Sequence, residues 1–536
     1  MNLRLWLKSR FTKWRLLLLV FMVIYACLLL LDLGYMSIQW DEIPHLYGGL
    51  LLTRGQSQEY IATYGYYPPL YDLLTAVFFN IFGVSAASGR LVAVVFSLLS
   101  IWIVFEFANR TYGPKTALAA SILLGVMPGF FWVSRINMLE TMLIFFFSLA
   151  LLLFFSWMRF SQNKTLLFCG LALGAGFLAK YQVLVAGLVM IVAILVLCRK
   201  QLRLRFSKFL VLPLIAILVV VPWFLVLYQT NGLTKFSDLL YVVQEGGEDR
   251  AEYSTRFPLP IFYLVEMTWP YSDYPHPISL PLYLLGLAGL ALFAYRRRTE
   301  DKFFLVWFIV VYVFFTLIPN KQWRYVTPLF PVLAISAASF IFFVYGKIGA
   351  VWKKGQVSLG NRRVRQFAAA LFIALVTAAI FYSSYEAHYM TAQDQIHVPV
   401  EEVTRYAVSN MTQDESMVLL YAFNMFSQDM FRFYLPANMS KDQVWQYPEL
   451  PVDSFAPNFN ITDFIGLCEQ NRVKWVIIYE HGPDATFLNA TLTWRDVMTM
   501  LGDSGRFGKI ADEPWQGFGT WPYRIFIFGF LRNQTR

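Results

Sequence analysis

Charge is scarce in this chain: Lys, Arg, Asp and Glu make up only 15% of its 536 residues. Histidine occurs five times and cysteine four times. The cysteines are Cys27, Cys169, Cys198 and Cys468, and the first three lie in or beside apolar blocks. That scatter excludes a disulfide framework and a thiolate metal site. No H-x-x-x-H spacing is present, so no motif indicates a bound metal, although a divalent cation would be compatible with the chemistry argued below. There is no nucleotide-binding glycine loop, which argues against a soluble nucleotide sugar as substrate. No internal duplication is visible, which disfavours a secondary transporter built from repeats.

What fills the space is apolar. The chain is 57% hydrophobic and 18% aromatic, more than one soluble core of this length can bury. The apolar residues come in blocks of roughly 18–22, the length of a membrane helix. Eleven runs are expected as spans, near 16–34, 84–108, 116–134, 138–157, 165–179, 182–198, 209–228, 277–295, 303–319, 327–346 and 366–385. The first follows five basic residues, is long, and lacks a small-residue cleavage site, so it reads as a retained helix rather than a signal peptide. With a cytoplasmic N-terminus, the inner segments hold 24 of the 33 Lys and Arg before residue 386, and the outer loops hold most of the acids. This is the positive-inside pattern. The net charge of +10 is then a topology signal and not a nucleic-acid surface.

An odd number of spans puts residues 386–536 outside. This tail has 11 basic and 18 acidic residues, a different balance from the rest. "VKWVIIYE" (Val473 to Glu480) and "YRIFIFGF" (Tyr523 to Phe530) read as buried strands, and Val400 to Val408 as a helix. The expectation is therefore a polytopic α-helical membrane domain, 1–385, followed by an extracytoplasmic α/β domain, 386–536. N-x-S/T triplets occur at Asn410, Asn438, Asn460, Asn489 and Asn533, but Asn109 and Asn163 match too while facing inward, so the triplets carry no argument.

The few charged residues outside concentrate in particular places. The first outer loop, about Tyr35 to Ser85, holds "WDE" with Asp41 and Glu42 at the membrane boundary and His45 just beyond. Ile43 to Thr53 is expected as an amphipathic helix on the bilayer, and Tyr71 to Phe82 as a short interfacial or re-entrant segment. Adjacent acids can also simply cap the following helix. Glu140 in "RINMLETMLIFF" is embedded in apolar sequence on the same side, and such an acid is a functional candidate by default. Lys180 and Tyr181, then Lys321, Arg324 and Tyr325 in "NKQWRYVTPLFP", add cations and phenols to that face. Lys180 could equally snorkel at a helix end. Arg90 either anchors its helix or faces the substrate cavity. His45 and His276 are lesser cavity candidates. "GLALGAG" lies inside a span, where close helix packing is the better reading than a phosphate loop.

Carboxylates and phosphate-type ligands on one membrane face suit a lipid phosphate donor. Lys and Arg would hold the phosphate and stabilise the departing charge, and a carboxylate would take the proton of an incoming hydroxyl.

In order, "WDE", "YYPPLYDLL", "FGVSAASGRL", "RINMLETML", "GLALGAGFLAKY" and "NKQWRYVTPLFP" resemble the GT-C glycosyltransferases. The nearest groups are the protein O-mannosyltransferases and the lipid A aminoarabinose transferases. The resemblance covers about residues 1–345. It implies a sugar moved from a polyprenyl (undecaprenyl or dolichyl) phosphate to a lipid, glycan or protein acceptor, with inversion. It also implies catalytic roles for Asp41 as base, Glu42 and Glu140, where the family often has Asp. Lys321, Arg324, Tyr325, Lys180 and Tyr67 are implied as donor-phosphate contacts. The aminoarabinose enzymes have an acid and a Lys just before the paired prolines, whereas this chain has Tyr66 and Tyr67. That removes one phosphate ligand and one potential metal ligand, and with them the ground for assigning their sugar substrate to this chain. The alternative function is a polyprenyl-phosphate-sugar or lipid flippase without transferase chemistry.

Overall fold

A computed structural model describes residues 12–197, 208–231, 257–269, 276–353, 359–393, 396–420, 426–447, 459–480, 486–487, 492–510, 515–517 and 524–531. Cys198, Asp273, Tyr523, Asn489, Asn533 and most of the basic run 198–208 lie outside these residues. Contacts divide the chain into two compact units. One comprises Met1–Leu33, Ser57–Phe82 and Ala87–Thr391, and the other Gly34–Gln56, Gly83–Ala86 and Ala392–Arg536.

The first unit is helical. Each of the eleven expected apolar runs meets a helix. Among the described residues, six helices are long and apolar enough to cross a membrane: Lys13–Leu30, Ala86–Tyr112, Glu140–Phe160, Val211–Thr230, Trp323–Ile348 and Gln366–Tyr389. Shorter apolar helices include Asn163–Ala179, Tyr181–Leu197 and Leu280–Arg296. The run 116–134 departs from expectation: it is divided into Pro114–Gly125 and Pro128–Val133. Pro128 lacks the N–H needed to continue the first helix but suits the first turn of the second. The segment expected at Tyr71 to Phe82 forms the helix Leu70–Phe82.

Small residues set the helix spacing. A Cβ on Gly170 or Gly174 would stand 2.9 Å from a backbone carbonyl oxygen of Val211–Asn231, at Leu212 and Ala216. The glycines of "GLALGAG" thus let two membrane helices touch, as the packing reading expected. The carbonyls that end Lys13–Leu30 are taken by arginines. Arg135 donates to Leu28 O, Leu29 O and Leu31 O at 3.0, 3.1 and 2.6 Å, and Arg90 donates to Leu33 O at 2.8 Å. These bonds satisfy acceptors that a helix end leaves open.

The second unit is built on a six-stranded sheet. Its strands are β1 (Ser416–Leu420), β2 (Val444–Tyr447), β3 (Val473–Glu480), β6 (Phe507–Lys509), β7 (Trp515–Gln516) and β8 (Arg524–Phe530), while β4 (Thr486–Phe487) and β5 (Leu492–Thr493) form a separate pair. The order is β2-β1-β3-β8-β6, with β7 also on β8. β1 runs parallel to β2 and β3, and β8 is antiparallel to β3. All of β3 except Lys474 is buried, which is why it sits at the centre. Helices Ile461–Gln470 and Trp494–Asp503 cover it, with Phe464, Cys468, Val497 and Leu501 in the core. The helix expected at Val400 to Val408 runs Val400–Ser409.

The helix at Ile43–Thr53 forms with the expected bounds. It is buried on nearly every side and packs on Gln428–Phe433 of the same unit. Its sequence, IPHLYGGLLLT, carries too few polar residues to present a wet face.

Candidate active site

In the helical unit the centre is Glu140, the first residue of Glu140–Phe160. Lys180, which follows the end of Asn163–Ala179, places Nζ 2.8 Å from Glu140 Oε1. Glu140 is 3% exposed and its Oε2 has no hydrogen-bond partner among the described residues. The charge of Arg324 reaches the same carboxylate. Its guanidinium lies 3.8 Å from Met138 Sδ, two residues before Glu140, and donates to Gln322 Oε1 at 2.8 Å. Two cations therefore converge on one carboxylate at the end of a span. In low dielectric such a group is strongly felt by any anion that enters.

Beside this group the tyrosines are ordered by one another. Tyr181 donates to Tyr66 O at 3.0 Å, and the Tyr66 and Tyr67 rings lie 4.4 Å apart. The "YYPP" turn is thereby docked on the residue next to Lys180. Tyr60 donates to Asp72 Oδ2 at 2.8 Å, both buried. Burial, then the Asp72 charge, holds the Tyr60 phenol well above its usual range. Asp72 was not singled out from the sequence. An acid within the apolar stretch Tyr71 to Phe82 was the available signal.

Other candidates in this unit make contacts of their own. Lys321 is buried and donates to Ile318 O and Pro319 O at 2.8 and 3.1 Å. These carbonyls follow the helix Thr299–Leu317, where a cation is favoured. Tyr325 lies 6.3 Å from the Phe315 ring. Arg90 is fully buried and bonds Leu33 O, as an anchor would. His276 pairs through Nδ1 with Glu386 and stacks on Trp269. The Glu386 hydrogen bond raises the His276 pKa against the opposing effect of burial.

Asp41, Glu42 and His45 belong to the second unit. Glu42 immediately precedes Ile43–Thr53 and is fully buried. Its Oε2 accepts from Gln39 N at 3.3 Å, while Gln39 O accepts from Glu42 N and Ile43 N. Glu42 thus closes its own turn. Asp41, one residue earlier, is exposed. His45 is buried in the helix. Among the described residues no three His, Cys, Asp or Glu side chains lie close enough to hold a metal ion.

Residues 67–225 match the family model described as dolichyl-phosphate-mannose-protein mannosyltransferase. The chain is 27% identical over 278 residues to an uncharacterised protein of Aquifex aeolicus, covering 51% of this chain and 52% of that one. It is 25% identical over 326 residues to the undecaprenyl phosphate-alpha-4-amino-4-deoxy-L-arabinose arabinosyl transferase 2 of Proteus mirabilis, covering 57% and 55%. The chain spans about half the length of the curated relatives it matches. In fold it is similar to ArnT from Cupriavidus metallidurans, with a TM-score of 0.63, 15% identity and coverage of 95% and 97%. It is also similar to the oligosaccharyltransferase of Archaeoglobus fulgidus, with a TM-score of 0.56, 15% identity and coverage of 88% and 70%. The chain is thus similar in sequence, over much of its helical part, to the protein O-mannosyltransferase family model and to an aminoarabinose transferase, and similar in fold, over nearly its whole length, to ArnT.

Proposed function

We propose that the chain transfers a sugar from a polyprenyl phosphate donor to an acceptor, with inversion, on the extracytoplasmic side of a membrane. The observation that carries this reading is the convergence of Lys180 and Arg324 on Glu140 at a membrane-helix end. A structure of ArnT from Cupriavidus metallidurans, similar in fold, is described as bound to undecaprenyl phosphate. The cationic pair is the natural seat for such a phosphate, with Tyr67 and Tyr325 beside it and Lys321 supporting the loop. Glu140 orients Lys180 and balances its charge when the site is empty. Asp41 is the general base: it is exposed, while neighbouring Glu42 is committed to the Gln39 amide. The membrane domain, 1–385, crosses eleven times with its N-terminus inside, and 386–536 lies outside. The group moved is a hexosyl or pentosyl unit, and the acceptor a lipid, glycan or protein.

The test is Asp41→Asn in the full chain in lipid nanodiscs, with the polyprenyl phosphate sugar identified by mass analysis of copurifying lipid. Undecaprenyl phosphate binding should be nearly unchanged. Transfer should fall by roughly 10²–10⁴-fold, the usual worth of a general base, and wild-type product should carry the opposite anomer to the donor. Turnover near wild type in Asp41→Asn, or product of retained configuration, would remove Asp41 from this role. Lipid movement across the bilayer without any glycosyl transfer would favour a flippase.

A further inference from the structure

The segment that carries Asp41 is fixed at both ends by residues from the C-terminal part of the chain. Upstream, Ser37 N donates to Ile396 O at 2.9 Å. Ser37 Oγ accepts from Val398 N at 2.6 Å and donates to Val398 O at 3.2 Å. The Tyr35 ring stacks on the His397 ring, whose Nε2 is 3.1 Å from Glu402 at the start of Val400–Ser409. Downstream, Ile43–Thr53 packs on Gln428–Phe433, and Arg54 donates to Leu435 O at 2.6 Å. Asp41 thus sits on a short tether between Ser37 and Arg54. Both ends are tied by hydrogen bonds to backbone atoms of residues 396–435.

We propose that the C-terminal domain is a positioning element for the base, acting on Asp41 through Ser37 and Arg54. The proposal rests on the reading of Asp41 given above. A carboxylate that must meet an incoming hydroxyl at about 3 Å gains from a fixed mount. The sheet-containing domain supplies that mount through a backbone bond from Ser37 to Ile396, two bonds of the Ser37 hydroxyl to Val398 and a side-chain clamp at Arg54. Neither Ser37 nor Arg54 is required to touch substrate, so they are positioning residues.

The experiment compares Ser37→Ala and Arg54→Met with Asp41→Asn, each in the full chain in nanodiscs, by steady-state transfer and by undecaprenyl phosphate binding. Misplacing a catalytic group by about 1 Å costs up to about 100-fold, so each anchor variant should lose roughly 10- to 100-fold in kcat with donor affinity unchanged. Ser37→Thr and Arg54→Lys should recover most of the loss, which separates a missing bond from misfolding. In the Asp41→Asn background, Ser37→Ala and Arg54→Met should not reduce the residual rate further. If Asp41→Asn is inactive but both anchor variants keep wild-type kcat, this proposal falls and the base assignment stands. Equal losses with and without Asp41 mean general damage, and also overturn it. Intact turnover in Asp41→Asn overturns the base assignment, and this proposal with it.

Discussion

At the scale of single residues, the Glu140–Lys180 pair is the interaction whose loss should be felt most. Each partner is mostly buried, and removing one leaves the other charge without compensation. Such truncations cost about 3–5 kcal/mol. Glu140→Gln and Lys180→Met should each destabilise the protein by that order, read as denaturant or thermal unfolding in detergent. The double variant should recover much of the loss, because no lone charge remains; an additive double variant would show that the pair is not coupled. Asp41 and Glu42 divide differently. Glu42→Gln keeps an oxygen for the Gln39 amide, so its turnover should fall far less than that of Asp41→Asn, checked in the same transfer assay. Asp41, Glu140, Lys180 and Arg324 were legible in the sequence because charge is rare there and stands out. The ties of Lys321 to Ile318 and Pro319 carbonyls were not, since nothing in residue type tells whether an ammonium faces a ligand or a nearby backbone.

At the scale of elements, helix spacing and one titrating pair make predictions. A Cβ on Gly289 would fall 2.1 Å from Ser336 O, so Leu280–Arg296 and Phe330–Lys353 touch backbone to backbone there. Ser336 Oγ also donates to Gly286 O at 2.9 Å. Gly289→Ala must push the helices apart and should lower stability by about 1–3 kcal/mol, the usual cost of overpacking. Gly346→Ala, in the same helix pair but with open space around it, should be neutral or slightly stabilising, and both are read by thermal unfolding. The second element is the start of Val400–Ser409. The hydrogen bond to Glu402 raises the His397 pKa despite burial, with Glu401 acting the same way, and His397 in turn lowers Glu402, aided by Arg405. Tyr35 covers the imidazole from the other side. A raised His favours the fold below its unfolded value of about 6.5 and loses that as pH climbs through its folded value. A lowered Glu favours the fold above its unfolded value of about 4.3 and loses that as pH falls through its folded value. The pair therefore stabilises most between about pH 4.3 and 6.5. The unfolding midpoint of wild type minus that of Glu402→Gln should peak in that window and shrink on both sides. A difference independent of pH would show that the pair does not contribute.

At the scale of the whole molecule, orientation is the open quantity that charge predicts. Single cysteines placed at exposed Asp414 or Asp503 in a Cys-free background should react with a membrane-impermeant thiol reagent from outside intact cells. One at exposed Lys164, in the first turn of Asn163–Ala179, should react only after permeabilisation. Labelling in the reverse sense would overturn the positive-inside assignment.

The sequence alone determined the membrane class, the helix positions, the central strand β3 and the rare charged residues from which a site is proposed. These are local: an apolar run of sufficient length, or a buried β-branched run, imposes its structure through hydrogen bonding and hydration within a few residues. Tertiary structure decided three further matters. It closed the Glu42 turn on Gln39 and left Asp41 exposed. It paired Glu140 with Lys180 across 40 residues of chain. It grouped residues 34–56 with 392–536 through bonds such as that between Ser37 and Val398, 361 residues apart. No window of sequence contains both halves of such a bond, and its stability comes from a backbone geometry that only the folded chain brings together.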